Sequence, residues 1–434
     1  MLSRWRSLRD LSAASLWVSP ALWALVALCA GAVLSRVAID ARSPLAFVAF
    51  QGTADDARTL LITITSTVVT VMALVLGLTV VALQLSSTQF SPRLLRNFLR
   101  DRPTQRVLSV YLATFAYSAA GLYTVGVSSG NRTEQFPRLA VTGAILLLFA
   151  TLGMVVYFAD HLAHSIQIDA ITGLVQRGTL AVVASKPGTV EAPTPTPPSW
   201  AVRLPAARSG YVQSAYPRVL LPVAAQLDVC VLVRPRVGEH VVAGTTLAWV
   251  WATSPDVPSP DLRPFRRVID DAVRVGFERT LDQDAAFGIR QLVDVACKAL
   301  SPAVNDPYTA VQAVDHLSVI FCALAVRPLG DDIAYDPDNR PRVIVPGRRF
   351  GDYLATMCGL IRRYGAAEPG LSLALLRLLT DCASVLSDDP SRLAAIGQQA
   401  ELILADAERA IAQPADLAPV RTAAKGLLQR TLST

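Results

Sequence analysis

Apolar residues gather in the first 160 positions, in four runs long enough to cross about 30 Å of hydrocarbon: Leu16–Ala38, Leu60–Leu85, Val107–Val127 and Leu139–Phe158. Each predicts a membrane helix. After residue 160 the periods shorten. Residues 169–205 predict a connecting helix and a Pro-rich linker ("KPGTVEAPTPTPPSW"). Residues 206–262 alternate short β-rich runs with Gly and Pro. Residues 263–434 recur at three- and four-residue spacing and predict a helical domain, interrupted by an acidic, Pro-containing loop at Gly330–Asp338. The fold expected is an α-helical membrane domain of four transmembrane helices (residues 1–168), followed by an α+β region with a small β-barrel-like unit and a helical bundle.

The second apolar run carries a stripe. Ser66, Thr70, Ala73, Gly77, Val81, Gln84 and Thr88 recur every three or four residues, with Thr63 and Thr67 beside them. Small and hydroxyl residues on one face let helices approach closely. The same residues can line a narrow water-filled path. No full charge lies on this run, which argues against a proton relay.

Composition sharpens the membrane reading. Of 434 residues 52% are hydrophobic and 17% charged, against about 25% charged in ordinary soluble domains. The formal net charge is +6 and nearly all of the positive charge is arginine, since Lys186, Lys298 and Lys425 are the lysines. Arginine is dense before the first run (Arg4, Arg6, Arg9) and between the second and third (Arg93, Arg96, Arg100, Arg102, Arg106). By the positive-inside rule these segments face the cytoplasm, so both ends of the membrane domain and everything after about Asp160 are expected there. The first run is too long for a signal peptide and lacks a clear cleavage site, so it reads as an uncleaved helix.

Within the arginine-rich loop, Ser91-Pro92 suits a helix start and Pro103 a stop. Leu94, Leu95, Phe98 and Leu99 share one arc opposite Arg93, Arg96 and Arg100. This predicts a short interfacial helix whose arginines form a collar toward anionic lipid head groups or the inner mouth of a pore.

"ALQLSSTQFSPRLLRNFLRD" (Ala82–Asp101), "DHLAHSIQ" (Asp160–Gln167) and "RTLDQDAAFGIRQLVDVACKALSPAVNDPYTA" (Arg279–Ala310) resemble a family of predicted bacterial membrane proteins, the domain-of-unknown-function family twenty-two fifty-four. The resemblance implies a multi-span inner-membrane protein with a soluble C-terminal part, and no assigned activity. "GYV" (Gly210–Val212) and "VRPRVGEHVVAGTTLAWV" (Val233–Val250) resemble more locally the half-motifs of biotinyl/lipoyl-type barrel-sandwich domains. No lysine lies between Val212 and Val233, so a swinging-arm carrier is not implied.

Other constellations are thin. Asp160, His161 and His164 have helical spacing for a divalent metal, and also suit a plain membrane boundary. At the helix junction "ALSPAVNDPYTA", Asp306 can cap and Pro307 can open a helix, while Asn305, Asp306, Tyr308 and Thr309 gather polar groups that can hold an anion. Arg279, Asp282, Asp284 and Arg290 alternate in sign, as on a solvated or salt-bridged face. Six separated cysteines form neither a metal pattern nor a CxxC. With no nucleophile elbow, phosphate loop or zinc signature, no enzyme, catalytic residue or cofactor is expected. No basic–aromatic footprint suggests nucleic acid. Two function classes stay open: a homo-oligomeric channel or pore-like transporter with a cytoplasmic assembly or gating domain, and a membrane-anchored sensor or scaffold whose helical domain binds a ligand or partner.

Overall fold

The computed structural model describes residues 17–35, 47, 49–89, 102–125, 138–165, 168–185, 194–254, 256, 260–386 and 389–432. They form two compact units, Met1–Ala170 and Ile171–Thr434.

The first unit is helical: α1 (Val18–Leu34), α2 (Ala54–Gln89), α3 (Arg102–Val125) and α4 (Arg138–Ser165). Helix α3 packs against the other three. Its Val107, Tyr111 and Tyr117 meet Leu61, Ile64, Val68 and Val75 of α2 and Val141, Ala144 and Phe158 of α4 in one core. Glycine makes two of these approaches possible. A Cβ on Gly31 would lie 3.0 Å from the Tyr117 carbonyl oxygen, and one on Gly143 would lie 2.2 Å from the Tyr117 hydroxyl. Thr104, Ser109, Thr114 and Ser118 of α3 are buried. Two of these hydroxyls are satisfied along the helix: Ser109 donates to the Gln105 carbonyl (2.6 Å) and Thr114 to the Val110 carbonyl (2.8 Å). Tyr111 donates across to the Thr151 carbonyl of α4 at 3.0 Å.

Among the described residues three helices are long and apolar enough to cross a membrane: Ala54–Gln84, Arg138–His164 and Pro307–Ala325. Val18–Leu34 is apolar but shorter. Two of the four expected spans therefore meet that criterion. Helix α3 is less apolar because protein surrounds much of it. Pro307–Ala325 is apolar for another reason, its place in the second core.

In the second unit, α5 (Ile168–Ser185) buries Ile171, Val175, Thr179 and Val182 from Ile171 onward. The β-rich region follows: β1 (Val202–Pro205), β2 (Gly210–Ala215), α6 (Pro217–Gln226), β3 (Val229–Val233), β4 (His240–Val241), β5 (Thr246–Ala252), α7 (Arg263–Ala272) and β6 (Val273–Gly276). Then come α8 (Ala285–Ala299), α9 (Pro307–Ala325), β7 (Asp332–Tyr335), β8 (Pro341–Val345), α10 (Phe350–Tyr364), α11 (Pro369–Val385), α12 (Pro390–Ala410) and α13 (Pro414–Leu432).

The barrel-like expectation is corrected. The strands form two sheets, a five-stranded one ordered β1-β5-β3-β8-β7 and a three-stranded one ordered β4-β2-β6. The barrel-sandwich turns are present at Gly238 (φ +88°) and Gly244 (φ +81°). However, β5 leaves the turn to pair with β1 and β3, while β2 pairs with β4 and β6, so the two halves do not close on each other. The acidic loop is also corrected: Asp332–Val345 is the β7–β8 hairpin, and β8 joins the sheet parallel to β3 through Val231↔Val343 and Leu232↔Ile344. Arg342 fastens this junction, with Nε 2.7 Å from Asp336 and a terminal nitrogen 2.6 Å from Asp228. Beneath the sheets lie Val212, Leu220, Val231, Val250, Phe265 and Val343.

Helix α9 sits between α8 and α11, and α8 also meets α10. Its Val314, Leu317, Ile320, Phe321 and Leu324 are fully buried. Its polar side carries Asp315, paired with Arg377 at 2.5 Å, and His316, bonded to Gln176 of α5. That amphipathic pattern suits a helix packed in a protein core.

The α8–α9 junction follows its sequence. Asp306 accepts from the Thr309 amide (3.1 Å) and hydroxyl (2.6 Å), with Pro307 at the first helical position. The Thr309 donors hold the Asp306 carboxyl below the ordinary carboxylate range. A lowered folded pKa stabilises above the unfolded value of about 4, and that stabilisation is lost as pH falls through the folded value. Asp306→Ala is expected to cost about 1 kcal/mol at pH 7. Denaturant unfolding of the full chain should show that difference shrinking in acid.

Candidate functional sites

The stripe on α2 faces outward from its unit. Ser66, Thr70, Ala73, Gly77, Val81 and Gln84 are exposed, whereas Ala57, Leu61, Ile64, Val68, Val75 and Ala82 form the buried face. A Cβ built on Gly77 meets nothing within 4 Å. The hydroxyl protons are spent on the helix itself: Thr63 donates to the Thr59 carbonyl, Ser66 to that of Thr63 and Thr70 to that of Ser66. The oxygens keep lone pairs for a neighbouring helix or for water. Thr88 lies in α2, and its side chain is outside the described residues.

Arg93, Arg96 and Arg100 of the expected collar also lie outside the described residues. Arg102 and Arg106 stand exposed on the first turns of α3, and Pro103 opens that helix.

The expected metal set, Asp160, His161 and His164, lies on the last turns of α4. Helix α4 continues past the expected end of its span to Ser165. His164 Nδ1 lies 2.8 Å from the Asp160 carbonyl oxygen and 3.4 Å from its carboxylate. His161 instead stacks on Tyr157, centroids 6.3 Å apart. Positions 160 and 164 share a face, while 161 is turned about 100° from 160 on a 3.6-residue helix. Among the described residues no three His, Cys, Asp or Glu groups converge for a metal.

At the α8–α9 junction Asn305 takes a left-handed conformation (φ +48°) and Tyr308 is 85% exposed. The anion position at this helix start is filled by the Asp306 carboxylate itself. Asn305, Asp306 and Tyr308 therefore build a capped turn.

The second unit holds a cavity of about 130 Å³ that sequence reading missed. Its lining comes from the end of α5 (Ser185), the turn after β3 (Arg236, Val237), the loop before α8 (Gln283, Asp284) and both sides of the β7–β8 hairpin neck (Gly330, Arg348). The neck is tight: a Cβ on Gly347 would fall 1.6 Å from the Gly330 carbonyl oxygen. Buried Asp331 pins it, accepting from the Gly347 amide at 3.0 Å.

The wall at Asp284 is built by the "RTLDQDAAFG" segment. Asp284, 3% exposed, accepts from the Arg279 Nε (2.9 Å) and terminal nitrogen (2.7 Å), and its other oxygen caps α8 through the Phe287 amide (3.1 Å). The Arg279 guanidinium also lies 5.2 Å from the Phe287 ring centroid. Gln283 accepts from the Ala215 amide at 2.9 Å, which ties this loop to β2. Gly238 completes the wall, because a Cβ there would meet the Asp284 carboxylate at 2.1 Å. The alternating charges expected on a solvated or bridged face thus include one buried ion pair.

The family model described as "Predicted membrane protein (DUF2254)" matches residues 13–381. The chain belongs to the DUF2254 family. That match takes in α1 to α4 and the cavity-building segments. Two relatives, uncharacterised proteins of Mycobacterium bovis and of Mycobacterium tuberculosis, are each 42% identical over 433 residues, covering 98% of this chain and 82% of theirs. No solved structure matches the chain. The DUF2254 chain is a predicted membrane protein with several apolar helices, consistent with a multi-pass arrangement.

Two substitutions test the cavity wall. Asp284→Ala leaves Arg279 partly buried without its partner and removes a helix cap, and should cost about 3 kcal/mol. Gly238→Ala adds a clash to a left-handed backbone and should cost roughly 1–3 kcal/mol. Both are measurable as a fall in unfolding midpoint of the full-length protein; midpoints matching wild type would contradict the assignment of this wall.

Proposed function

We propose that this DUF2254 protein is a homo-oligomeric, pore-like transporter of the bacterial inner membrane, with subunits meeting along α2. The observation that carries the proposal is the outward stripe. A small and hydroxyl stripe runs along the exposed side of α2, which also carries Ile62, Val69, Leu74 and Leu78, and such a stripe suits a second helix or a water path better than acyl chains. Open space at Gly77 is where a neighbouring backbone comes close.

In this reading α1 to α4 all span the bilayer, with the N-terminus and the second unit in the cytoplasm. The arginine bias supports that orientation. Arg102 and Arg106, with Arg93, Arg96 and Arg100, meet anionic head groups at the inner surface. The second unit assembles or gates, and neither catalysis, a cofactor nor nucleic acid enters. A sensor or scaffold is the second reading, favoured by the cavity in the second unit.

Thr70→Cys in a Cys29→Ser background tests assembly. Oxidation in native membranes should yield covalent dimers, and a buried control such as Val68→Cys should yield few. In planar bilayers Gly77→Leu should reduce conductance at least about tenfold, as expected when a bulky side chain fills a narrow path. A monomer in mild detergent, with no Thr70→Cys crosslink, would overturn the pore and leave the sensor. A reporter fused after Thr434 should be active only as a cytoplasmic fusion; periplasmic activity reverses the orientation.

A further inference from the structure

We infer that the cavity in the second unit is a binding site for a compact oxyanion of the phosphate type, held by Arg348. The inference does not depend on the pore reading, because every lining residue belongs to the second unit.

It rests on which hydrogen-bonding groups are already spent. The acidic groups around the cavity are all engaged. Asp284 uses both oxygens, on Arg279 and on the Phe287 amide. Asp352, just outside the lining, accepts from Arg236 (3.1 Å) and from the Arg349 amide (3.0 Å). Asp331 holds the Gly347 amide, and Asp332 is likewise engaged. The Gln283 carbonyl oxygen is taken by the Ala215 amide.

The donors are not spent. Arg348 lines the cavity half-buried, and among the described residues its guanidinium has no hydrogen-bond or ion-pair partner. Among the described residues the Gln283 amide nitrogen has no protein acceptor either. Arg236 uses one terminal nitrogen on Asp352 and keeps the rest of its fork. Helix α10 begins two residues after Arg348, its start already capped by the Asp352 carboxylate, and its Tyr353 lines the same space. With the neighbouring carboxylates each tied to a protein donor and the Arg348 guanidinium open, the cavity suits a ligand made of acceptors. Planar forks favour oxyanions.

Size narrows the ligand. Drug-sized sites run to about 300–1,000 Å³. At about 130 Å³ this cavity takes inorganic phosphate or the phosphate of a larger molecule, with the remainder outside. Free phosphate and a phospholipid head group share this chemistry.

The test uses the full-length protein in neutral detergent at constant ionic strength, titrated by calorimetry with inorganic phosphate and, separately, with dioctanoyl phosphatidic acid. Saturable binding of phosphate assigns a free ion. Saturation by the lipid alone assigns a head group. Arg348→Gln should weaken that binding about tenfold or more, the worth of one charge-assisted bond. It should leave the unliganded melting temperature unchanged, since Arg348 has no partner to lose. Arg348→Lys, which keeps charge without the fork, should fall between the two. If Arg348→Gln proves unstable, the loss in Arg348→Lys decides. No saturation with either probe, or undiminished affinity in the variants, overturns the proposal.

Discussion

The second unit depends on one buried carboxylate. Asp284 ends the loop from β6, caps α8, neutralises Arg279 and presses against Gly238. Helix α8 carries the helical layer, since α9 and α10 both pack on it. A single side chain therefore sets where helices begin relative to the strands. Such a pair is weak as net stabilisation but costly to break, because either ion left alone inside is poorly solvated. Its value here is positional: it holds three chain segments at the distances from which the cavity is made.

The first unit solves a different problem with the same economy. Helix α3 places hydroxyls among apolar neighbours, and two of them donate to carbonyls one turn back, so burial leaves those donors satisfied. Glycines at 31 and 143 bring α1 and α4 onto Tyr117. Helix α2 buries one apolar face against α3 and α4 and leaves Ile62, Val69, Leu74 and Leu78 exposed beside its polar stripe, which is the part of that outer side least suited to acyl chains.

Elements with local causes were legible in the sequence. The junction at Asp306 and Pro307 formed as its capping chemistry dictates. The long apolar helices were visible as runs, although hydropathy singles out α9, whose apolar side answers to a protein core. Elements with distant causes were not legible. The segment from Gly330 read as a loop because its prolines and acids hide a hairpin whose β8 is completed only by β3, more than a hundred residues earlier. The cavity was invisible because its lining is drawn from separated segments. The available signal was the "RTLDQDAAFG" stretch, where Arg279 and Asp284 stood out as charges without showing that one of them is buried.

The parallel pairing of β3 with β8 also constrains how the chain is made. Val231 emerges from the ribosome long before Val343, and until then β3 has one open edge beside the finished β5. Helices α8 and α9 are synthesised in that interval, and α8 can already pack on α9. The sheet is thus completed by a strand delivered after those two helices, and the hairpin neck at Gly330 and Gly347 forms at that same late moment. During synthesis the exposed edge of β3 is the segment most in need of protection from pairing with another chain.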